Sequence, residues 1–365
     1  MNNLLHVSAN QFSDIESSGH TYKIWRELSK GFDNYYILGR SRNNKFEKYK
    51  KDNITLILIP KIIDKSSIFI LSSFVIFYYV SKYKISHILC QSAIFGGAAC
   101  ILVQKIYKIP VMVEIHGEEY FRIMESPKKI IKFFGIFLKK IYLNANKVRS
   151  LNDFMTEKLK IHGIVENVVE IYNRVDLELF NEVKQDFKRG NVVKIASVGR
   201  FVKEKNYENL ILFLKNSGIK FHLTLIGGGL LKENYNTLIK KLNLENDVLL
   251  LDWVKQEEFI DILISCDLYI QSSISEGMPR TIVEAMALQL PIVSTNVGSI
   301  SGVVKNEVNG LLVEPNEIAI IDAVKKMVNS ESLRESLAKQ GRKDVVEKYE
   351  WNKVFYKYRW EIISM

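Results

Sequence analysis

The sequence predicts an α/β protein of two doubly wound domains, each a mostly parallel sheet with helices on both faces. Three observations lead to this prediction. Short apolar runs alternate with helical stretches along the whole chain, which is the pattern of repeated βαβ units. The length of 365 residues corresponds to about two domains. The series of strands fades near Ile171 and begins again after a polar stretch at 181–191.

In the first half of the chain, four buried apolar runs are predicted as strands, and two amphipathic stretches between them as helices. The strands are Leu4–Ser8, Ile54–Ile59, His87–Leu89 and Val111–Ile115, and the helices are Thr21–Ser29 and Phe95–Tyr107. Together they predict a first domain over residues 1–185.

The second half repeats the pattern with shorter spacings. Its predicted strands are Lys194–Val198, His222–Ile226, Val248–Leu251, Leu268–Gln271 and Ile292–Ser294, with helices at Tyr207–Asn216 and Arg280–Leu288. They predict a second domain over residues 186–345. Residues 346–365 are predicted to form a helix that packs back on the first domain.

The composition is that of a globular protein and favours anionic partners. Hydrophobic residues make up 47% and charged residues 25%, which excludes a disordered chain, a fibre and a small disulfide scaffold. The net charge of +10 fits nucleic acid, acidic lipid headgroups or phosphorylated small molecules. Cys90, Cys100 and Cys266 form no C-x-x-C pair, which indicates reduced core thiols.

Two further absences bear on location and cofactors. The longest apolar run, Ile68–Val80, is too short to cross a bilayer, and the first ten residues do not resemble a signal peptide. The sequence contains no P-loop, no H-E-x-x-H motif and no two aspartates two positions apart. We therefore expect a cytoplasmic protein that requires neither a metal nor another cofactor.

Two segments of the second half combine features of an anion site. Gly199 follows a predicted strand and lets a ligand approach the backbone, and Arg200 and Lys205 can both reach one anion. Residues 272–279 lead into the helix that begins near Arg280. The free amides of Thr281 and Ile282 at that helix start are a second source of positive potential.

Two carboxylates accompany this predicted anion site. Glu276 lies in the loop before the helix, and Glu284 lies one turn or more into it. A carboxylate beside bound phosphate is unfavourable unless hydroxyl groups donate hydrogen bonds to it, and sugars supply such hydroxyls. The combination therefore points to a ligand with both phosphate and sugar parts.

The same residues resemble a known family. The Glu276-x₇-Glu284 pair within Ser-Glu-Gly-Met-Pro-Arg-Thr-Ile-Val-Glu-Ala-Met-Ala, the segment from Gly199 to Asn206, and Asn309-Gly310-Leu311-Leu312-Val313 resemble the retaining nucleotide-sugar glycosyltransferases of family four. That family has the GT-B architecture, two Rossmann-like domains facing each other across a cleft. The resemblance implies that residues 1–185 bind the acceptor and that residues 186–345 bind the nucleotide sugar. The resemblance is strong over about residues 194–315 and fainter before them, where Ile115-His116-Gly117 resembles the His-Gly loop of the family.

The resemblance implies a role for each matching residue. Arg200 and Lys205 would hold the donor diphosphate as it leaves, Glu276 would bind the donor sugar, and Glu284 would bind the ribose. The backbone near Val254 would contact the base, and His116 would lie near the transferred sugar unless it is a structural histidine. The implied donor side comprises Gly199, Arg200, Lys205, Gly227, Val254, Glu276, Gly277, Met278, Pro279, Thr281, Ile282 and Glu284, and the acceptor side Gly19 and His116.

The sequence departs from the family pattern at a few positions. The N-terminal Gly-Gly acceptor loop of the family is here Ser18-Gly19-His20, so only Gly19 carries over. Gln289 replaces a family glycine, and Gly302 stands where a glutamate is common. These changes leave the implied diphosphate contacts intact but leave the sugar and the acceptor open.

The predicted activity is retaining, metal-independent transfer of a sugar from a nucleotide-diphosphate sugar to a lipid-linked oligosaccharide or lipopolysaccharide intermediate. A soluble acceptor and a nucleotide-sugar isomerase are the alternatives. A nucleic-acid partner is not expected, because the basic residues are not grouped in a recognised module.

A membrane surface is the other predicted partner. In Lys128–Tyr142, lysines alternate with large apolar residues at helical spacing, as in helices that lie on an anionic inner membrane surface. Lys82 and Lys84 beside Tyr78, Tyr79 and Tyr83 form a second basic-aromatic patch. The alternative for Lys128–Tyr142 is a helix that covers the N-terminal domain, with lysine stems lying over its rim.

Overall fold

A computed structural model describes residues 1–16, 19–60, 67–116, 118–278 and 280–365. The chain forms two compact units. Unit 1 comprises residues 1–171 and 355–365, and unit 2 comprises residues 172–354. The chain therefore enters unit 2 once and returns to unit 1 for its last residues.

Unit 1 is built on a sheet that, in the described part of the chain, contains eight strands. They are β1 (Asn3–Phe12), β2 (Asn34–Ser41), β3 (Glu47–Lys51), β4 (Ile54–Ile59), β5 (His87–Cys90), β6 (Val111–Glu114), β7 (Lys147–Ser150) and β8 (Val168–Glu170). Their order across the sheet is β3-β4-β2-β1-β5-β6-β7-β8. Only the edge strand β3 runs antiparallel to its neighbour.

The helices of unit 1 connect these parallel strands. They are α1 (Gly19–Ser29), α2 (Ser67–Lys82), α3 (Ala98–Tyr107), α4 (Glu119–Met124), α5 (Lys129–Asn144) and α6 (Asp153–Ile161). A turn of π-helix at Ala93–Gly97 leads into α3. Every side chain of β4 and of β6 is buried, as expected for strands covered on both faces.

Unit 2 contains a six-stranded parallel sheet among its described residues. Its strands are β9 (Val193–Val198), β10 (Phe221–Ile226), β11 (Val248–Leu251), β12 (Leu268–Gln271), β13 (Ile292–Thr295) and β14 (Leu311–Val313). The order β11-β10-β9-β12-β13-β14 reverses direction between β9 and β12. In doubly wound folds, the carboxyl ends of the strands at such a switch point form the ligand site.

Helices cover both faces of the second sheet and continue to the C-terminus. They are α7 (Tyr207–Asn216), α8 (Lys232–Lys241), α9 (Gln256–Ser265), α10 (Arg280–Ala287), α11 (Glu317–Asn329), α12 (Glu331–Lys348) and α13 (Trp351–Ile363). The core beneath α7 and α8 includes the aromatic rings of Phe201, Tyr207 and Tyr235, packed edge to face. Helix α13 begins in unit 2, and its residues from Phe355 onward belong to unit 1.

The boundary between the units lies earlier than the expected position at 185/186. Residues 172–185 are bound to unit 2 by backbone contacts. Val175 pairs with Glu350, and the Lys184 amide donates to the Leu288 carbonyl at 2.9 Å. The polar stretch at 181–191 therefore lies within unit 2, and polarity alone does not mark a linker.

Candidate functional site

The candidate donor site lies at the switch point of the unit 2 sheet. The segment from Gly199 to Lys205 follows β9, and the segment from Ser272 to Met278 follows β12. The two segments are joined directly, because the Ser272 hydroxyl donates to the Lys205 carbonyl at 3.0 Å and the Ile274 amide donates to the Glu204 carbonyl at 2.9 Å. The fold thus brings together the two segments that the sequence singled out.

Close backbone packing at this edge explains two of the predicted glycines. A Cβ on Gly227 would lie 1.9 Å from the Gly199 carbonyl oxygen, so only glycine fits there. A Cβ on Gly199 would lie 2.8 Å from both the Lys205 Cε and the Tyr207 hydroxyl. The two strand ends therefore pack closely, backbone against backbone, and the Lys205 side chain lies beside Gly199.

Glu276 is the centre of a buried polar cluster. Its Oε1 accepts hydrogen bonds from Lys205 Nζ at 2.5 Å, from Gln271 Nε2 at 2.7 Å and from Ser273 Oγ at 2.5 Å. Gln271 is itself fixed by the Tyr269 hydroxyl, which donates to its Oε1 at 2.9 Å. Within the described residues no donor reaches Glu276 Oε2, so one carboxylate oxygen is held in place and the other keeps its capacity to accept a hydrogen bond.

Lys205 and Arg200 differ in how firmly they are held. The Lys205 side chain is 15% exposed and uses one of its three donors on Glu276. Arg200 is exposed, and its guanidinium has no partner in the described part of the chain. The structure brings Lys205 and Glu276 together but does not bring Arg200 into contact with either of them. The shared grip of Arg200 and Lys205 on one anion stays a prediction.

The start of α10 provides the second part of the site. The helix begins at Arg280, so the amides of Arg280, Thr281 and Ile282 belong to the first turn, which has no acceptor within the helix. Burial raises the pKa of the Glu284 carboxyl further along α10, while Arg280 opposes this effect. Pro279, a predicted donor-side residue, lies outside the described residues.

A third segment, after β13, supports the Glu276 loop and was not anticipated from the sequence. Gly298 has a positive φ of 58°, and a Cβ there would lie 1.8 Å from the Glu276 carbonyl oxygen. The Ser299 hydroxyl donates to the Gly277 carbonyl, and the Thr295 hydroxyl donates to the Ser273 carbonyl at 2.6 Å. The available signal was the sequence Asn296-Val297-Gly298-Ser299 directly after a predicted strand.

Two further donor-side residues lie near this edge without joining the cluster. Val254 is half-buried in the segment after β11. The neighbouring Trp253 is 60% exposed, and a Cβ on Gly228 would lie 3.3 Å from its indole Nε1. Met278 is buried, and its carbonyl accepts from Asn173 Nδ2 at 3.3 Å.

In unit 1, His116 is held by a buried ionic network. Glu114 Oε2 lies 2.9 Å from His116 Nε2, and Glu114 Oε1 accepts from Arg149 Nη1 and from the hydroxyl of Tyr358 in α13. Burial tends to raise the pKa of Glu114, but the charges of His116 and Arg149 outweigh it and hold that pKa well below its usual range. Because an ionised carboxylate only accepts, His116 Nε2 carries the proton and Nδ1 faces away from Glu114.

The remaining acceptor-side prediction, Gly19, begins α1 with a positive φ of 45°. No atom lies within 4 Å of the position of a Cβ on it, so packing does not account for the glycine. Ser18 and Gly117, which flank the two acceptor-side residues, lie outside the described residues. Sequence reasoning missed Glu114, Arg149 and Tyr358, because their contacts join segments far apart in the chain.

Comparison with known proteins identifies the second unit. The model of the family "Glycosyl transferases group 1" matches residues 180–344, which include the Gly199–Lys205 and Ser272–Glu284 segments. This segment is a group 1 glycosyl transferase domain. The predicted family is thereby confirmed on the part of the chain that carries the Lys205–Glu276 cluster.

Relatives of this glycosyltransferase include enzymes of surface polysaccharide assembly. The chain is 28% identical over 279 residues to the Escherichia coli UDP-Gal:alpha-D-GlcNAc-diphosphoundecaprenol alpha-1,3-galactosyltransferase, covering 69% of this chain and 68% of the relative. It is also 28% identical over 245 residues to the capsular polysaccharide biosynthesis glycosyltransferase CapM of Staphylococcus aureus, covering 60% of this chain and 63% of the relative.

Solved structures extend the glycosyltransferase similarity to both units. The sucrose-phosphate synthase of Thermosynechococcus elongatus matches with a TM-score of 0.81 at 17% identity, over 100% of each chain. Alr3699/HepE of Anabaena, in complex with UDP, matches with a TM-score of 0.73 at 16% identity, again over 100% of each. At these identities the similarity shows the fold, and the predicted GT-B fold is confirmed.

Proposed function

We propose that this glycosyltransferase moves a sugar, with retention of configuration, from a nucleotide-diphosphate sugar to a lipid-linked saccharide during assembly of a surface polysaccharide such as a capsule or O-antigen. The observation that carries the proposal is the Lys205–Glu276 pair at the sheet switch point. It offers a cation with two uncommitted donors beside a carboxylate with one uncommitted oxygen. A ligand with phosphate next to sugar hydroxyls matches both.

Each residue then has a defined task in the reaction. As the bond from the anomeric carbon to phosphate breaks, negative charge builds on the departing diphosphate. Lys205, Arg200 and the first-turn amides of α10 stabilise that charge where it develops, which lowers the barrier more than ground-state binding does. The free oxygen of Glu276 orients the sugar, and Glu284 accepts from the ribose. The acceptor approaches from the same face, and the leaving phosphate takes its proton.

The raised pKa of Glu284 is consistent with its proposed partner. A carboxylate whose pKa stays raised by burial despite the charge of Arg280 gains from hydroxyl donors, because each donated hydrogen bond stabilises the charged form. For the nucleotide we favour UDP, since solved relatives of the same fold bind UDP. In unit 1, Gly19 and His116 are proposed to serve the acceptor side, with Nδ1 of His116 available to a sugar hydroxyl.

A lipid-linked acceptor is favoured by the outer face of α5. Its inward side chains include Leu138 and Ile141, which are buried, while Ile130 is 81% exposed and Phe133 is 72% exposed. Covering the domain therefore explains only one side of the helix. An exposed apolar stripe flanked by lysines suits an anionic membrane surface.

The apolar face continues on α2 and α3. The Phe77 and Tyr107 rings lie 5.9 Å apart and join these two helices, and Gln104 Nε2 donates to the Asn144 carbonyl at the end of α5. Along α3, Ile106 and Tyr107 are exposed. Among the described residues no helix has both the length and the apolar character needed to cross a bilayer. We therefore propose peripheral attachment to the inner face of the cell membrane.

A donor panel tests the proposal. The full chain is incubated with UDP-, GDP- and ADP-sugars, with and without a membrane extract containing lipid-linked saccharides, and released nucleotide and lipid-linked product are measured. We expect one UDP-sugar to give an α-linked lipid product, assigned by NMR. Transfer to a free saccharide would redirect the proposal to a soluble acceptor, and an interconverted nucleotide sugar without transfer would indicate an isomerase.

Independence from metal is a separate prediction. Because Lys205, Arg200 and the start of α10 supply positive charge at the diphosphate, EDTA should leave transfer largely intact. The measurement compares initial rates in EDTA with rates in added Mg²⁺ or Mn²⁺. Complete loss in EDTA that either metal restores would contradict the prediction.

A further inference from the structure

An aromatic and basic groove runs along the edge of the unit 1 sheet, between α2 and the edge strand β3. Its volume is about 460 Å³, and its walls include Phe46, Lys48, Phe74, Tyr78, Lys82 and Tyr83. Among the described residues no carboxylate lines it. None of the residues proposed for donor binding or acceptor binding belongs to it.

The two lysines of the groove converge on one ring. Lys48 Nζ lies 5.3 Å from the centroid of the Tyr83 ring, and Lys82 Nζ lies 5.8 Å from the same centroid. Each donates one hydrogen bond to a tyrosine hydroxyl, Lys48 to Tyr83 at 2.8 Å and Lys82 to Tyr78 at 2.7 Å. Each ammonium therefore keeps two donors.

Neither ammonium has a carboxylate partner among the described residues. Both ammoniums lie within 6 Å of the centroid of one ring, and an aromatic ring does not neutralise their charge. An anion bound by both lysines would neutralise this charge and accept hydrogen bonds from their unused N–H groups. Several phosphate oxygens could accept from both ammoniums at once.

The aromatic wall is rigid and thus prepared for a ligand. The rings of Tyr36, Tyr83 and Tyr79 form a parallel stack, with centroid separations of 4.2 Å for the first pair and 5.5 Å for the second. Tyr78 packs edge-on against Tyr79 at 5.1 Å. Because the stack fixes Tyr83, binding would cost little side-chain ordering.

The mouth of the groove is apolar and open. Phe74 is 80% exposed, and Phe46 and Tyr78 are also exposed. Phe74 and Tyr78 lie on α2, the helix whose Phe77 packs against Tyr107 of α3. A hydrocarbon chain leaving the lysines would therefore pass over Phe74 and Phe46.

We propose that this groove binds the phosphate headgroup of a membrane lipid, with phosphate between Lys48 and Lys82 and the first part of the lipid chain against Phe46 and Phe74. The inference rests on the proposed membrane face and deepens it, because it replaces general attraction to an anionic surface with recognition of one phosphate. Free inorganic phosphate carries the same charge but no hydrocarbon chain. Binding of a lipid phosphate should therefore depend on Phe46 and Phe74, and binding of free phosphate should not.

Calorimetric titration of the full chain distinguishes them. The ligands are dodecyl phosphate below its micelle concentration, inorganic phosphate, and dodecyl maltoside as an uncharged chain. We expect dodecyl phosphate to bind at least about tenfold more tightly than either of the others, since only it satisfies both the ammoniums and the aromatic wall. Equal binding of inorganic phosphate would overturn the lipid assignment.

Variants locate the binding in the groove. Lys48→Gln with Lys82→Gln should weaken dodecyl phosphate binding by about tenfold or more. Phe74→Ser should weaken dodecyl phosphate while leaving inorganic phosphate unchanged. Lys50→Gln with Lys84→Gln is the control, because it removes the same charge from nearby lysines that do not line the groove. The sequence grouped Lys84 with Lys82, but the structure leaves Lys84 out of the groove lining. Thermal unfolding of each variant verifies that it is folded.

Comparison with α5 separates this inference from the proposed function. Gln at Lys128, Lys129, Lys139 and Lys140 should reduce binding to anionic vesicles but leave dodecyl phosphate binding intact. If the Lys48/Lys82 variant keeps full affinity for dodecyl phosphate while the α5 variant still loses vesicle binding, the groove assignment is wrong and the membrane face stands. Loss of dodecyl phosphate binding in the Lys50/Lys84 control would equally contradict the groove.

Discussion

At the scale of residues, Glu276 shows how neighbouring side chains hold one oxygen of a carboxylate. Three donors converge on Oε1, and these are the side chains of Lys205, Gln271 and Ser273. They stabilise the charge and fix the plane of the carboxylate, so the proposed contact of Oε2 with a sugar hydroxyl would need no reorganisation. The sequence pointed to Glu276 and Lys205 but not to Gln271 or Ser273, because polar residues at the end of a strand give no sign of which carboxylate they will face.

The proposed contacts of Arg200 and Lys205 with the diphosphate can be tested by substitution. Arg200→Ala and Lys205→Ala should each lower kcat by a hundredfold or more, about 3 kcal/mol, because their contacts strengthen as charge develops in the transition state. The control is Lys203→Ala, which removes an exposed lysine from the same turn. The measurement is kcat and KM for the best UDP-sugar, with thermal unfolding of each variant. Full activity in either folded variant would remove that residue from the site.

His6 gives a prediction about pH at the same scale. Burial lowers its pKa to about 4 from an ordinary 6.5, with Glu114 opposing and His116 adding to the effect. Between those values the unfolded chain binds a proton that the folded chain does not, so the free energy of unfolding falls as pH falls. The loss should be about 2 kcal/mol between pH 7 and pH 5.

Urea unfolding at the two pH values measures this loss. His6→Gln should make the difference between pH 7 and pH 5 smaller, whatever its effect on stability at pH 7. His222→Gln, a histidine of β10 in unit 2, should leave the difference as in the wild type. His87 and His162 also have a lowered pKa through burial and add to the background in every variant. An unchanged difference in His6→Gln would contradict the assignment.

At the scale of elements, the pattern of apolar residues predicted the buried strands, but the sequence did not show which segments support the loops. The strands predicted at Ile54–Ile59 and Val248–Leu251 have the same bounds in the structure. The first is buried along its whole length, as expected for an apolar strand covered on both faces, whereas the second lies at the sheet edge with Leu249 exposed. Strand β3 was missed, since Glu-Lys-Tyr-Lys-Lys reads as a polar loop and forms a strand only by pairing with β4 at the sheet edge.

Gly298 offers a test of loop support with a matched control. Gly298→Ala meets both an unfavourable positive φ and the Glu276 carbonyl at 1.8 Å, whereas Gly218→Ala meets a φ of 73° with no atom within 4 Å. The shared backbone strain costs about 1–2 kcal/mol. We expect Gly298→Ala to lower the free energy of unfolding by more than Gly218→Ala and to weaken binding of UDP, which Gly218→Ala should not do. Equal effects on both measurements would show that the contact with Glu276 is unimportant.

At the scale of the whole molecule, the length and the alternation of strand and helix patterns predicted two doubly wound domains. They did not predict where the chain passes from one domain to the other. The boundary follows from contacts such as Lys184 with Leu288, which no local pattern reveals. The C-terminal residues belong to unit 1 because Tyr358 donates to Glu114 and Glu361 accepts from Lys147 at 2.7 Å. Both contacts span more than two hundred residues, and the sequence of α13 alone shows only an amphipathic helix.

The net charge of +10 belongs to the whole molecule, but the proposed membrane contact depends on the lysines of α5. If α5 lies on an anionic surface, each lysine near that surface contributes about 1 kcal/mol. Removing four of them should weaken binding to anionic vesicles by about two to three orders of magnitude. The variant carries Gln at Lys128, Lys129, Lys139 and Lys140.

A control variant with the same net charge as the α5 variant shows whether the position of the lysines or the total charge matters. It carries Gln at four exposed lysines of unit 2, namely Lys220, Lys240, Lys241 and Lys255. Co-sedimentation with anionic and neutral vesicles measures membrane binding, and UDP titration of the same preparations measures the proposed donor site in unit 2. We expect the α5 variant alone to lose vesicle binding, and high salt to mimic it, because exposed charges are screened over about 8–10 Å. Equal losses of vesicle binding in both variants would mean that the total charge, and not α5, attracts the membrane. Equal binding of the wild type to both vesicle types would mean that α5 only covers its domain.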